Sequence, residues 1–164
     1  MTSYSARFAP FVERMAGEQL PDMFIENFAH YYEKLVGGDD GMMPENSILP
    51  IHSLPDAEKL SDDFGRMGRA AVQHTVIIKL NGGLGTGMGL TGPKSLLVVK
   101  EGLTFLDIIA RQAVGIGAPL LLMNSFATDH ESLDVLSRYP LLQRNLPLSF
   151  LQHKQPKINA DDFN

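Results

Sequence analysis

Apolar residues recur along this chain at two different spacings, and the change between them divides it. Phe8, Phe11, Val12 and Met15 follow a three-and-four spacing, as do Phe24, Phe28, Tyr31, Tyr32 and Leu35. Each set places its apolar side chains on one helical face, so the spacing predicts two amphipathic helices. Gly37 and Gly38 end the second. Residues 39–56 carry Gly41, Pro44, Pro50 and Pro55 with no periodicity, and read as a long irregular connection. A short helix is expected around Asp56 to Gly65.

From Thr75 the pattern shortens. Thr75 to Leu80 is a β-branched apolar run, the mark of a buried strand. Ser95 to Val99 and Leu120 to Asn124 read as further strands, and Leu148 to Gln152 as the last. Thr104 and Asp107 have the spacing of a capping box, opening a helix that runs to about Val114 and stops at Gly115 and Gly117. Asp129 to Arg138 reads as a surface helix ended by Pro140. Strands alternating with helices imply an α/β fold with a largely parallel sheet. The expected division is a helical segment and connection over 1–70, then an α/β unit over 71–164.

Composition narrows the class. A chain of 164 residues with 44% hydrophobic content is large enough to bury a core unaided. It has no cysteine, which excludes disulfides, thiolate metal sites and a cysteine nucleophile, and fits a reducing compartment. The net charge of −5 and the lack of any long basic run argue against a nucleic-acid partner. The longest apolar runs are too short to span a bilayer. The N-terminus has no apolar core of a secretory signal. A cytoplasmic location is the expectation.

The chemistry concentrates in Leu80 to Lys94, LNGGLGTGMGLTGPK, where Gly82, Gly83, Gly85, Gly87, Gly89 and Gly92 crowd one loop. Each glycine costs roughly 0.5–1 kcal/mol relative to alanine in a regular element, so this stretch is neither helix nor strand. Bare N–H groups followed by a lysine suit a phosphate chain. The Walker pattern fails because Pro93 stands before Lys94 and Ser95. Gly87 to Gly92 spells GxGxxG, but it begins well past the strand, and no helix opens after it. A simple hairpin turn at Asn81 and Gly82 leaves the other glycines unexplained.

The loop resembles the signature of the eukaryotic-type UDP-glucose pyrophosphorylases, the UTP–glucose-1-phosphate uridylyltransferases. The resemblance continues through Gly102 to Asp107, Leu122 to Phe126, Phe150 to Gln152 and Pro156 to Ile158, covering about 75–160. It implies a Rossmann-like nucleotidyltransferase sheet, incomplete here, behind an N-terminal helical segment. It implies formation of UDP-glucose and pyrophosphate from UTP and glucose 1-phosphate, with Mg²⁺. By position, Leu80, Asn81, Gly82 and Gly83 match the segment that holds the uridine and approaches the phosphates. Lys94 matches the phosphate-binding lysine, assigned as catalytic, and Gln152 the glutamine that recognises uracil.

Two departures matter. Ala127 stands where the family often has asparagine. The family's metal-binding aspartate, its Gly-His and a second catalytic lysine lie later than Asn164, so no metal ligand is expected in this chain. The expectation is an N-terminal fragment, weak or inactive alone. The rivals are a non-catalytic uridine-nucleotide-binding fragment and a uridylyltransferase for another sugar 1-phosphate. Oligomeric state is not legible.

The other polar residues read as structural. His30, His52, His74, His130 and His153 show no metal spacing, although His153 adjoins Gln152. The pairs Asp39–Asp40, Asp62–Asp63 and Asp161–Asp162 read as solvated loop charges. The Phe and Tyr stripe at 24–35 reads as a packing face.

Overall fold

The computed structural model describes residues 6–142 and 146–163; residues 1–5, where the N-terminal stretch read for a secretory signal begins, lie outside them. The chain forms two compact units, one built from 1–54 with 153–164 and the other from 55–152. The division falls at Leu54, earlier than the boundary at 70 read from the sequence, and the last residues join the helical unit.

In the first unit, helices α1 (Ala9–Gly17) and α2 (Asp22–Val36) carry the three-and-four faces expected of them. Phe8, Phe11, Met15, Ile25, Ala29 and Tyr32 are buried together. The rings of Phe8 and Tyr32 lie 5.0 Å apart and those of Phe11 and Tyr32 5.3 Å, so the aromatic stripe is a packing face. The Tyr32 hydroxyl donates to the Phe163 carbonyl at 2.9 Å, tying the chain's last turn to α2. The long connection to 54 holds only a 3₁₀ turn at Glu45–Ser47.

The second unit opens with helix α3 (Asp62–Ala71), capped by Ser61, whose hydroxyl accepts from the Asp63 N–H. This helix sits later than the Asp56–Gly65 expected, because Ser61 supplies the cap and Gly65 and Gly68 are tolerated inside it. The main sheet has three parallel strands in the order β1 (Ile77–Asn81), β4 (Leu120–Asn124), β5 (Ser149–Leu151). Ile77 pairs with Leu120 and Asn81 with Asn124; Leu122 pairs with Ser149 and Asn124 with Leu151.

Ser95 to Val99 does not join that sheet, contrary to expectation. Lys94–Leu96 is a 3₁₀ turn, and β2 (Val98–Lys100) pairs antiparallel with β3 (Leu103–Thr104) in a separate hairpin. Glu101 and Gly102 make its turn with φ of +51° and +75°, a tight reversal that keeps the segment local.

Helix α4 (Phe105–Ile116) begins at the expected capping box. The Thr104 hydroxyl accepts from the Asp107 N–H at 3.1 Å while the Asp107 carboxylate accepts from the Thr104 N–H at 2.9 Å. It runs through Gly115 and stops at Gly117, at φ +82°. Helix α5 (Asp129–Leu136) follows β4. Leu106, Ala110 and Ala113 of α4 pack with Leu120 and Leu122 of β4 and with Val135 and Leu136 of α5. One sheet face is thereby covered. On the other, Ile78 is 56% exposed and Leu80 65%, and Phe150 is also exposed.

Candidate functional site

The parallel arrangement sends Asn81, Asn124 and Leu151 to the same end of the sheet, the carboxyl end, where ligands of open α/β sheets sit. The glycine loop leaves β1 at that end, and Gln152 leaves β5 beside it. The loop closes on itself. The Gly85 N–H donates to the Gly92 carbonyl at 3.2 Å, the Lys94 N–H donates to the Gly83 carbonyl at 3.1 Å, and Leu84 bridges Pro93. Residues eleven apart in sequence, Gly83 and Lys94, thus become neighbours. Gly89, at φ +72°, ends the 3₁₀ turn at Thr86–Met88 in the left-handed region, where a side chain would be strained.

Gly82 has a different reason to be glycine. A Cβ there would fall 2.2 Å from Gln152 Oε1, so the carboxamide rests directly on the main chain. Gln152 is itself held by its N–H, which donates to the Asn124 carbonyl at 2.7 Å. A carboxamide offers a donor and an acceptor side by side.

Lys94 is exposed at the end of the loop. Together with Lys79, Leu80, Asn81 and Gly83 it lines a cavity of about 300 Å³, bounded on α4 by Phe105 and Ile109. Lys79 was not singled out in the sequence, although a lysine inside the apolar run TVIIKL was the available signal. Its ammonium donates to the Leu80 carbonyl. Among the described residues no carboxylate pairs with either lysine. Two unneutralised cations on one cavity favour an anionic ligand. Ser95 Oγ, also at this cavity, is buried without a hydrogen-bond partner among the described residues.

Of the residues singled out from the sequence, Gly82, Gly83, Lys94 and Gln152 come together, and Leu80 borders the cavity. Asn81 is turned the other way. Its side chain is buried and donates to Asn124 Oδ1 at 2.7 Å and to Ser132 Oγ at 2.8 Å, leaving its main chain to face the loop. His153 packs edge-on against Phe24 in the first unit, with ring centroids 5.0 Å apart. Among the described residues no group of three or more His, Asp or Glu side chains could hold a metal ion. No helix among them is long and apolar enough to cross a membrane.

A parallel sheet carrying a glycine loop, a lysine and a carboxamide at its carboxyl end is the arrangement of a nucleotidyltransferase-like α/β fold. The family model for UTP–glucose-1-phosphate uridylyltransferase matches residues 22–164. The chain is 38% identical over 133 residues to the UTP–glucose-1-phosphate uridylyltransferase of Solanum tuberosum, spanning 76% of this chain and 25% of that protein. It is 43% identical to that of Musa acuminata over 133 residues, 76% of this chain and 26% of that protein.

Among solved structures, a UDP-glucose pyrophosphorylase variant from Leishmania major in complex with UDP-glucose superposes with a TM-score of 0.83 at 34% identity, covering 98% of this chain and 35% of that one. A UDP-glucose phosphorylase from Trypanosoma brucei gives 0.77 at 38% identity, covering 97% and 34%. The chain belongs to the UTP–glucose-1-phosphate uridylyltransferase family. It spans about a quarter of the length of the curated relatives it matches.

Proposed function

We propose that residues 80–94 and Gln152 form the uridine-nucleotide half of a UTP–glucose-1-phosphate uridylyltransferase site, acting in the cytoplasm. The observation that carries this reading is the seating of the Gln152 carboxamide on Gly82, the residue just before the loop's self-closure between Gly83 and Lys94. In this reading Gln152 takes the uracil edge. The main chain of Leu80 to Gly83 lies along the nucleoside, and Lys94, assisted by Lys79, meets the phosphates.

The reaction assigned to the complete site joins UTP and glucose 1-phosphate. An oxygen of the sugar phosphate attacks the α-phosphorus, that P–O bond forms, and pyrophosphate leaves with the electrons of the bond that breaks. The step requires no protein nucleophile, only alignment and cancellation of negative charge. Lysines 94 and 79 supply charge in this half. Mg²⁺ enters as the counter-ion of UTP. Among the described residues no group of three or more His, Asp or Glu side chains offers it a cage. The 164-residue chain by itself is expected to bind UTP and to turn over weakly or not at all.

Titration calorimetry with UTP and with ATP, each with Mg²⁺, tests the reading. Binding of UTP at least tenfold tighter than ATP, weakened by Lys94→Ala, supports it. Equal affinity for the two nucleotides removes the uracil assignment of Gln152. A UDP-glucose assay that shows turnover above a Lys94→Ala control overturns the expectation of a feeble isolated chain.

A further inference from the structure

One line of side-chain hydrogen bonds joins the carboxyl ends of β1 and β4 to Ser149, the first residue of β5, and Asn124 stands at its centre. Asp129 Oδ1 accepts from Ser149 Oγ at 2.7 Å and from Asn124 Nδ2 at 2.8 Å. A carboxylate only accepts, so it decides which end of the Asn124 amide faces it. Asn124 Oδ1 is thereby turned to β1, where it accepts from Asn81 Nδ2 at 2.7 Å. The second proton of that Asn81 amide goes to Ser132 Oγ at 2.8 Å. The main-chain carbonyl of Asn124 accepts the Gln152 N–H at 2.7 Å. Asn124 and Ser132 are 0% exposed and Asn81 5%, so water does not compete for these bonds.

The two groups that Asn124 holds adjoin those that face the proposed ligand. Asn81 immediately precedes Gly82 and Gly83, and Gln152 rests on Gly82. Gly82 and Gly83 have no side chains to pack, so the loop's exit is located by its neighbours' bonds rather than by its own contacts. Main-chain pairing sets the distance between strands, but it does not fix how the chain leaves them. The Asn124 side chain fixes that for β1, while for β5 the ladder itself runs one residue further, from the Asn124 carbonyl to the Gln152 N–H.

We propose that Asn124 is a positioning residue that sets the spacing between the Gly82–Gly83 main chain and the Gln152 carboxamide, with Asp129 setting the orientation of the Asn124 amide. Its bearing on UTP rests on the nucleotide reading above; its bearing on the loop does not.

The test is a charge exchange. Asn124→Asp places two carboxylates face to face at a buried site. Adding Asp129→Asn restores a complete set of partners. The carboxylate at 124 then accepts from Asn81 and from the new amide nitrogen, which stands where Asp129 Oδ1 stood and gives its second proton to Ser149 Oγ. The readouts are UTP affinity by calorimetry and the backbone amide signals of Gly82, Gly83 and Gln152 in ¹H–¹⁵N spectra of the 164-residue chain. Asn124→Asp is expected to weaken UTP at least tenfold and to move all three signals. The double variant is expected to return affinity to within threefold and the signals to their wild-type positions.

Unmoved signals in Asn124→Asp overturn the proposal, as does a double variant no better than the single one. If the wild-type chain binds no UTP, the nucleotide reading falls and the three signals alone decide the positioning role. If Asn124→Asp does not fold, Ser132→Ala decides: it removes one acceptor of the Asn81 amide, so Gly82 and Gly83 move while Gln152 stays. Movement of none of them overturns the proposal.

Discussion

The Gln152 carboxamide lies on Gly82 so closely that a Cβ at Gly82 would stand 2.2 Å from Oε1 and 2.7 Å from Cδ. Gln152 and Gly82 leave different strands and meet only because β4 lies between those strands and orders both. The clash in a Gly82→Ala variant falls on the free end of a flexible side chain, so the fold absorbs it by moving Gln152. UTP affinity is expected to drop about tenfold with Tm changed by under about 2 °C, since a displaced exposed side chain leaves the core intact. Calorimetry and thermal unfolding of the same preparation check it; a large Tm loss with unchanged affinity contradicts it.

Lys94 and Lys79 are expected to act on a ligand rather than on the fold. Hydrogen bonds to charged groups contribute roughly 1.5–3 kcal/mol each, so Lys94→Ala should weaken UTP about tenfold or more. Lys79→Ala should weaken it less, because its ammonium is shared with the Leu80 carbonyl. Both variants should reduce the salt dependence of binding. Titrations at two ionic strengths measure this.

Ser95 Oγ is buried without a partner among the described residues. Such a hydroxyl carries its desolvation cost with no return, about 1–3 kcal/mol. Ser95→Ala is therefore expected to be neutral or stabilising by up to about 1 kcal/mol in urea unfolding. A loss of more than about 1 kcal/mol would mean that the hydroxyl is bonded in solution.

Asp107 predicts a pH dependence. Burial pushes its carboxyl up, but the Thr104 hydroxyl, the Thr104 N–H, the Tyr139 hydroxyl and the Arg138 charge together outweigh that, and the net direction is down from 3.8. A carboxyl lowered in the folded state adds stability that is fully present above its unfolded value and is lost as pH falls through the folded one. Asp107→Asn should thus cost about 1 kcal/mol at pH 7, the usual range for a cap. The gap to wild type should close as pH falls below 3.8. Urea unfolding at pH 7 and at pH 3 compares the two. A gap that is constant with pH rejects the ionised cap.

The exposed sheet face predicts self-association. Ile78, at 56%, and Phe150, at 42%, stand on a parallel sheet of the kind normally covered on both faces. Ile78→Thr keeps the β-branch and removes apolar surface. It should lower the associated fraction in sedimentation velocity, with stability changed by under about 0.5 kcal/mol.

The elements with strong local patterns were legible without coordinates. The stripes of α1 and α2, the apolar run of β4 and the Thr104–Asp107 box each depend on residues within one or two turns, and each formed where its pattern lay. Ser95 to Val99 misled because a short apolar run looks the same in a sheet and in a local hairpin. Its partner, Leu103–Thr104, was too short to carry a pattern. Lys79 escaped notice because its meaning depends on sharing a cavity with Lys94, fifteen residues later.

The sequence by itself determined that the glycine loop is not a regular element, that a lysine ends it, and that its letters belong to a uridylyltransferase family. Those are properties of neighbouring residues and of composition. Only the tertiary structure decided which of them face one another. Parallel pairing through β4 put Gln152 on Gly82 and turned the Asn81 amide away from the loop into a buried network with Asn124 and Ser132, while the loop's own main-chain bonds folded Lys94 back to Gly83. Strand register is a long-range property, fixed by which apolar faces meet in the core, and no local spacing encodes it.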